Sequence, residues 1–98
     1  GTKLSHSGVT LDSSSCKVSA NQKSVELTKN ELRILSLLMQ NAGTVVSRQR
    51  IQEELWQSDE FVDDNTLTVN ISHLRNTLAS IGVEDFVMTR RGLGYVIE

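Results

Sequence analysis

The sequence has few of the residues on which redox chemistry, metal binding and catalysis depend. It contains one cysteine and two histidines among 98 residues. Cys16 cannot form an internal disulfide, which fits a reducing cytoplasm, and we expect it to be a small core residue on a strand. An enzyme needs a nucleophile beside a base, or metal ligands at usable spacing, and these residues offer neither. The sequence therefore predicts no catalytic site, no metal site and no cofactor.

Long apolar segments are also absent, since no run of residues could cross a bilayer and the first residues do not resemble a signal peptide. We therefore expect a cytoplasmic protein without membrane contact. Hydrophobic residues make up 38% and charged residues 22%, which is typical of a folded chain. A chain of 98 residues is large enough for one hydrophobic core, so we expect residues 1–98 to form a single domain.

An excess of positive charge, the usual mark of a nucleic-acid-binding domain, is missing, because the net charge is −2. The charges are unevenly distributed, however. In residues 47–98, six of the nine acids lie in the segments 59–64 and 84–85, whereas arginines pair elsewhere as Arg48 with Arg50 and Arg90 with Arg91. Binding requires local positive potential and not a positive total. The composition thus leaves both DNA binding and protein interaction open.

The clearest periodicity lies between Asp64 and Ile81. Apolar residues recur there at spacings of three and four, which places them on one stripe of an α-helix: Leu67, Ile71, Leu74, Leu78 and Ile81. The opposite face carries amides, hydroxyls and Val69, and no acid occurs between Asn65 and Leu78. A solvated face usually mixes Glu and Lys, whereas a face that enters a DNA groove excludes carboxylates and offers amides, hydroxyls and a methyl contact for thymine. For the helix alone, both interpretations stay open.

Other local patterns predict the elements before this helix. Alternating residues in 3–27 predict short antiparallel strands with turns at 13–14 and 19–22. Thr28 and Glu31 form a capping-box pattern ahead of a first helix, and Gly43 is predicted to terminate that helix. Its predicted core face is Leu32, Leu35, Leu38, Met39 and Ala42. Ser47 is expected to cap a second helix that ends at Leu55 or Trp56.

The remaining patterns complete the fold. Asp63 or Asp64 is expected to cap the third helix, and residues 57–63 are predicted to form a loop. Two β-prone runs, 85–89 and 95–97, surround the basic, glycine-rich segment 90–94 and predict a hairpin. The predicted fold class is α+β: a winged helix-turn-helix with an N-terminal four-stranded antiparallel sheet, three helices and a C-terminal β-hairpin wing. Arginines at the hairpin tip suit the narrow minor groove.

With these elements in order, the whole chain resembles the effector domain of OmpR/PhoB-type response regulators. Four segments carry the resemblance: 27–31, 47–56, 62–69 and 89–95. The run 63–72 is most similar to Gram-positive regulators that respond to bacitracin and cationic antimicrobial peptides. The resemblance implies sequence-specific binding of double-stranded DNA as the output domain of a two-component transcriptional regulator.

The resemblance also implies roles for individual residues. In the helix over 64–81, the residues that would face DNA in the major groove are Asn65, Thr68, Val69, Ser72, His73 and Arg75. Arg91 would enter the minor groove, and the positions that would touch phosphates are Arg48, Trp56, Thr89 and Tyr95. The loop would contact RNA polymerase through Asp59, Glu60, Phe61 and Val62.

Partners outside the chain are implied as well. A receiver domain with the phosphoacceptor aspartate would precede residue 1, receive phosphate from a cognate sensor kinase and mediate homodimer formation on direct repeats. The sequence departs from many relatives at Ser72 and His73, where arginine is common. Because Arg-to-guanine contacts are scarcer here, while Asn65 and Asn70 can read adenine and Val69 can contact a thymine methyl, we expect an A·T-rich site.

Several residues keep a second interpretation. His73 could be a partly exposed helix histidine, Arg75 could pair with an acid on a neighbouring element, and Arg91 could be a solvated turn arginine. Trp56 could belong to the core, and the acidic loop could be a plain connector. The alternative for the whole chain is a winged-helix protein–protein interaction module, which its net acidity favours.

Overall fold

The N-terminal part of the chain forms the predicted antiparallel sheet. The computed structural model describes residues 3–57 and 63–98. Four strands pair in sequence order: β1 (Lys3–His6), β2 (Val9–Asp12), β3 (Lys17–Ala20) and β4 (Lys23–Glu26). The β3–β4 turn is narrower than predicted, because only Asn21 and Gln22 form it, both at positive φ. Positive φ at both central residues matches the right-handed twist of a hairpin.

One face of this sheet is apolar and the other is charged. Leu11 and Val18 are directly paired and fully buried against the helices. On the outer face, a row of alternating charge crosses all four strands: Lys3, Asp12, Lys17 and Glu26. Opposite charges on paired positions favour this register. The sheet therefore has one buried face and one solvent-exposed face, as expected from the sequence.

Cys16 does not lie on a strand, and that prediction was wrong. It occupies the β2–β3 connection at φ +58, and its thiol, which is half-buried, donates a hydrogen bond to the Leu27 carbonyl at 3.3 Å. The Leu27 N–H in turn donates to the Cys16 carbonyl at 2.8 Å. Cys16 therefore packs against the core from a turn, where the chain must reverse before β3 begins.

Helix α1 (Lys29–Gln40) begins with the predicted capping box. The Thr28 hydroxyl accepts from the Glu31 N–H at 3.1 Å, and the Glu31 carboxylate accepts from the Thr28 N–H at 2.9 Å. Leu35, Leu38 and Met39 are buried as expected, and Leu32 and Ala42 are partly buried, but Ile34 and Leu37 are buried as well. The helix is covered by strand β1 on one side and by two helices on the other, so its buried surface is wider than one stripe.

Two further helices form the helix-turn-helix pair. Helix α2 (Arg48–Trp56) is capped by the Ser47 hydroxyl, and helix α3 (Asp64–Ala79) is capped by the Asp63 carboxylate, which accepts from the Thr66 N–H at 2.7 Å. Helix α3 ends two residues before Ile81. The apolar stripe predicted for α3 is nonetheless buried throughout, Ile81 included.

The predicted hairpin consists of β6 (Met88–Arg90) and β7 (Gly94–Val96). Strand β6 is shorter than the predicted run 85–89, whereas β7 has the predicted length and begins one residue earlier. A third strand completes this sheet, because β5 (Val46–Ser47) pairs with the other edge of β7 in the order β5-β7-β6. Ser47 is therefore both the last residue of β5 and the N-cap of α2. This arrangement fixes the position of the hairpin, the wing of the fold, relative to the helix-turn-helix pair.

The core lies between the N-terminal sheet, the three helices and the base of the wing. Tyr95, Val96 and Ile97 are buried in it, so the final segment joins the core and is not a loose tail. Among the described residues, no helix has the length and apolar character needed to span a membrane.

Candidate nucleic-acid interface

The face of α3 opposite the buried stripe is exposed along its length. Asn65, Val69, Ser72 and Asn76 follow one another on this face, and all are exposed. Val69 keeps 51% of its surface accessible, so its methyl groups are available for contact with a partner. His73 is exposed beside Ser72. The surface thus presents an amide, a hydroxyl, an imidazole and a methyl-bearing side chain, without a carboxylate between Asn65 and Leu78.

Two polar side chains of α3 are engaged within the protein. One N–H of the Asn70 amide donates to the Thr66 carbonyl at 2.9 Å, which holds the side chain against the helix backbone and leaves its second N–H and its oxygen for a partner. The Thr68 hydroxyl donates to the Asp64 carbonyl at 3.2 Å and accepts from Arg48 at 2.8 Å. Asn65 therefore presents a better amide for base recognition than Asn70.

Arg75 extends from α3 to the wing. Its Nε–H donates to the Val87 carbonyl at 3.1 Å, and its Nη2–H donates to the Thr89 hydroxyl at 2.7 Å. The sequence left open a phosphate contact or a pairing with an acid, whereas the partners in the structure are a carbonyl and a hydroxyl. Thr89, one of the predicted phosphate contacts, is exposed at the same place.

Arg48, in the first turn of α2, joins three elements. Its Nε–H donates to the Asp64 carboxylate, and its Nη2 donates to the Asp64 carbonyl and the Thr68 hydroxyl, each at 2.8 Å. Its Nη1–H donates to the Tyr95 hydroxyl at 2.6 Å. The hydrogen bond with Asp64 raises the pKa of Arg48 above its ordinary value, and the carboxylate of Asp64 is neutralised at the start of α3.

Tyr95 lies where these contacts converge. Only 5% of it is accessible, so it offers little surface to a phosphate. The guanidinium carbons of Arg48 and Arg75 lie 5.7 and 5.8 Å from the centroid of its ring, within the range of cation–π attraction. Strand β7 and helix α3 are therefore connected through both arginines.

The tip of the wing carries Arg91, Gly92 and Leu93. Arg91 is exposed, and within the described ranges its side chain makes no hydrogen bond or ion pair, whereas neighbouring Arg90 pairs with Glu98 at 2.7 Å. Leu93 is 65% exposed and was not identified from the sequence. Its position between two glycines in a turn was the available signal, since such a residue cannot reach the core.

Trp56, at the end of α2, is 43% exposed and does not belong to the core. In the part of the chain that the structure describes, the large apolar side chains with high exposure are Trp56, Val69 and Leu93. All three lie on elements for which the sequence predicts DNA contacts. The predicted RNA polymerase contacts, at positions 59–62, lie outside the described residues. No cluster of His, Cys, Asp or Glu within 3–57 and 63–98 could hold a metal ion.

Comparison with known proteins agrees with this fold. Residues 21–97 match the family described as transcriptional regulatory protein, C terminal. The chain is 40% identical over 89 residues to the sensory transduction protein BceR of Bacillus subtilis, covering 91% of the chain and 38% of that protein. It is 36% identical over 93 residues to the response regulator GraR of Staphylococcus epidermidis, covering 95% of the chain and 42% of that protein.

Among solved structures, the C-terminal domain of NsrR, described as a lantibiotic response regulator for nisin resistance, superimposes with a TM-score of 0.83 at 39% identity. The match covers 96% of this chain and 95% of that domain. The chain spans about two fifths of the length of the curated relatives it matches. The winged-helix fold expected from the sequence is confirmed by these matches and by the order of strands and helices.

Proposed function

The chain belongs to the OmpR/PhoB-type family of C-terminal domains of transcriptional regulatory proteins, and we propose that it binds double-stranded DNA as the output domain of a two-component response regulator. One observation carries the proposal. The exposed face of α3 bears amides, hydroxyls and an exposed valine, and it is connected to a wing whose tip arginine is unpaired within the described residues. This combination suits a helix in the major groove and a cation in the minor groove.

The proposed base contacts come from α3. Asn65 can read adenine through its amide, and Val69 can pack on a thymine methyl group. Ser72 and His73 add hydrogen-bonding groups in place of the arginines common in relatives. The guanidinium of Arg75 is directed towards the wing, which leaves few bidentate contacts to guanine on this face. We therefore propose an A·T-rich site.

At the wing, we propose that Arg91 enters the minor groove, where narrow A·T-rich segments have enhanced negative potential. The phosphate contacts expected from the resemblance, at Arg48, Trp56, Thr89 and Tyr95, stay predictions. Trp56 and Thr89 are exposed at the surface, although the Thr89 hydroxyl accepts from Arg75, and Arg48 donates to the Tyr95 hydroxyl.

For the whole protein, we propose a cytoplasmic regulator. A receiver domain is phosphorylated by a cognate sensor kinase and pairs two copies on direct DNA repeats, and Asp59, Glu60, Phe61 and Val62 contact RNA polymerase. The match to response regulators of about two and a half times this length supports a longer parent protein. The proposal for residues 59–62 rests on the resemblance of this segment to the family.

The test is fluorescence anisotropy on an operator chosen from random-sequence duplexes, compared with a scrambled duplex over a range of salt concentrations. We expect preference for the selected duplex and a decrease in log affinity of about 0.9 per neutralised phosphate with log salt. Arg91→Ala should weaken binding. Lys23→Ala, which removes one charge from the N-terminal sheet, is the matched control and should not.

Two outcomes would contradict the proposal. Failure to enrich any duplex would favour a protein–protein interaction module, whose binding should depend on Phe61 and Val62. Equal weakening by Arg91→Ala and Lys23→Ala would show that only the total charge matters, and it would remove the specific role of the wing.

A further inference from the structure

We infer that Arg48 and Arg75 act together on Tyr95, which fixes helix α3 at a set angle to the wing. They are positioning residues in this view, and their main role is not to neutralise phosphate. The inference rests on the proposed DNA binding, because it assigns a purpose to the fixed angle. It concerns the cluster formed by Arg48, Asp64, Arg75, Thr89 and Tyr95, named here the helix–wing clamp.

The first half of the clamp holds the start of α3. Arg48 uses four of its five N–H donors in hydrogen bonds to Asp64, Thr68 and Tyr95. A fork-shaped guanidinium can satisfy several acceptors in fixed directions, which a lysine ammonium on a flexible stem cannot. One N–H remains for a phosphate, so a bidentate phosphate contact would require that internal hydrogen bonds break.

The second half holds α3 towards its C-terminal end. Arg75 lies three turns further along the helix and donates to the backbone of Val87 and the side chain of Thr89, at the outer strand of the wing. The clamp therefore contacts α3 at two separate points. Two points fix the direction of a helix, whereas one point would allow it to pivot.

Tyr95 is the shared part of both halves. Its ring lies within 6 Å of both guanidinium carbons, and its hydroxyl accepts from Arg48. Tyr95 also lies on β7, the central strand of the wing sheet, between β5 and β6. Any tilt of α3 against the wing would have to disturb this buried ring.

The consequence for binding is preorganisation. A helix in the major groove and an arginine in the minor groove both contribute to the binding free energy only if they reach the DNA at the same time. If their relative position must be fixed during binding, the entropy lost lowers the affinity. Loosening the clamp should therefore reduce affinity for the specific site. Nonspecific affinity comes from phosphate contacts and should change little.

Arg48→Lys and Arg75→Lys test this because each keeps the charge and removes the fork. We expect each to lower affinity for the selected operator about tenfold, while affinity for scrambled DNA and the salt slope stay unchanged. In free protein, amide hydrogen exchange in β6 and β7 should become faster, and exchange in α1 should not. This exchange measurement needs no DNA, so it separates the clamp from the proposed function.

A second readout distinguishes positioning from simple stability. In the Arg48→Lys background the penalty of Arg91→Ala should shrink, because the wing is no longer held over the minor groove, whereas independent contacts would give additive penalties. Two results would overturn the inference. One is wild-type affinity for the operator in both lysine variants. The other is a salt slope about 0.9 lower in Arg48→Ala and in Arg75→Ala together with penalties that add to that of Arg91→Ala, which would indicate phosphate contacts. If the unmodified chain showed no preference for the selected operator over scrambled DNA, the proposed function would be refuted, and with it the purpose of the clamp.

Discussion

Replacement of Gly94 by alanine should detach the wing from the helix-turn-helix pair. Gly94 has φ +150, a conformation that other residues rarely adopt. A Cβ there would overlap the carbonyl oxygen of Val46 and lie 2.8 Å from the Cα of Ser47. Because the obstructing atoms belong to the backbone, no side-chain rotation can relieve the overlap.

The expected cost combines two contributions. The backbone conformation alone costs about 1–3 kcal/mol for a residue with a side chain. Relief of the overlap requires that β7 move away from β5 by roughly 1 Å, which stretches the hydrogen bonds between them beyond their normal range. Together we expect a loss of about 4 kcal/mol in the free energy of unfolding, a large share of the roughly 5–15 kcal/mol of a typical domain.

Gly92 provides the matched control, since it lies two residues away in the same motif at φ +75, and a Cβ added there would meet no atom within 4 Å. Gly92→Ala should cost about 1–2 kcal/mol, the penalty for a left-handed residue. Thermal unfolding followed by circular dichroism should show a decrease of roughly 20 °C for Gly94→Ala and roughly 5–10 °C for Gly92→Ala. Equal decreases in the two variants would refute the proposed contact between β5 and β7.

Three further predictions concern other parts of the chain. Thr77→Val removes the hydroxyl that donates to buried Glu31 at 2.6 Å, so it should lower the unfolding free energy in urea by about 2 kcal/mol, and a loss no greater than that of Thr77→Ser would contradict this. The hydrogen bond from the Thr66 N–H holds the pKa of Asp63 below its ordinary value of 3.8. The ionised carboxylate therefore contributes fully to the free energy of unfolding above that pH, and this contribution is lost as the pH falls through the lowered pKa of the folded state. Urea midpoints of the unmodified chain should therefore decrease more steeply below about pH 4 than those of Asp63→Asn, and parallel curves would exclude this role. Uracil in place of thymine in the operator removes a methyl group and should weaken binding roughly fourfold, but Val69→Ala should be insensitive to the exchange, and equal sensitivity would place Val69 away from the bases.

Features that depend on near neighbours in sequence could be predicted. The capping box joins Thr28 to Glu31, and the cap of α3 joins Asp63 to Thr66, each across three residues. The buried stripe of α3 was likewise visible, because helical periodicity alone determines which residues share a face. The exposure of Val69 follows from the same geometry.

Features that depend on distant partners could not be predicted. Arg48 and Tyr95 are 47 residues apart, and nothing in either neighbourhood shows that the guanidinium donates to the phenol. Ile34 is buried because a sheet and two helices enclose α1, which a single apolar stripe does not reveal. Cys16 alternates with Val18 as strand residues do, but two apolar positions are too few to locate the start of a strand.

The pairing of β5 with β7 also has a consequence for how the protein folds during synthesis. Val46 pairs with Tyr95 across nearly half the chain, whereas each strand of the N-terminal meander pairs with its immediate neighbour. Local pairings form early and distant ones late, because closing a long loop costs chain entropy before any contact forms. The four-stranded N-terminal sheet can therefore assemble while the ribosome is still producing the helices. The proposed DNA-contacting surface, by contrast, becomes complete only when β7 has been made and has paired with β5.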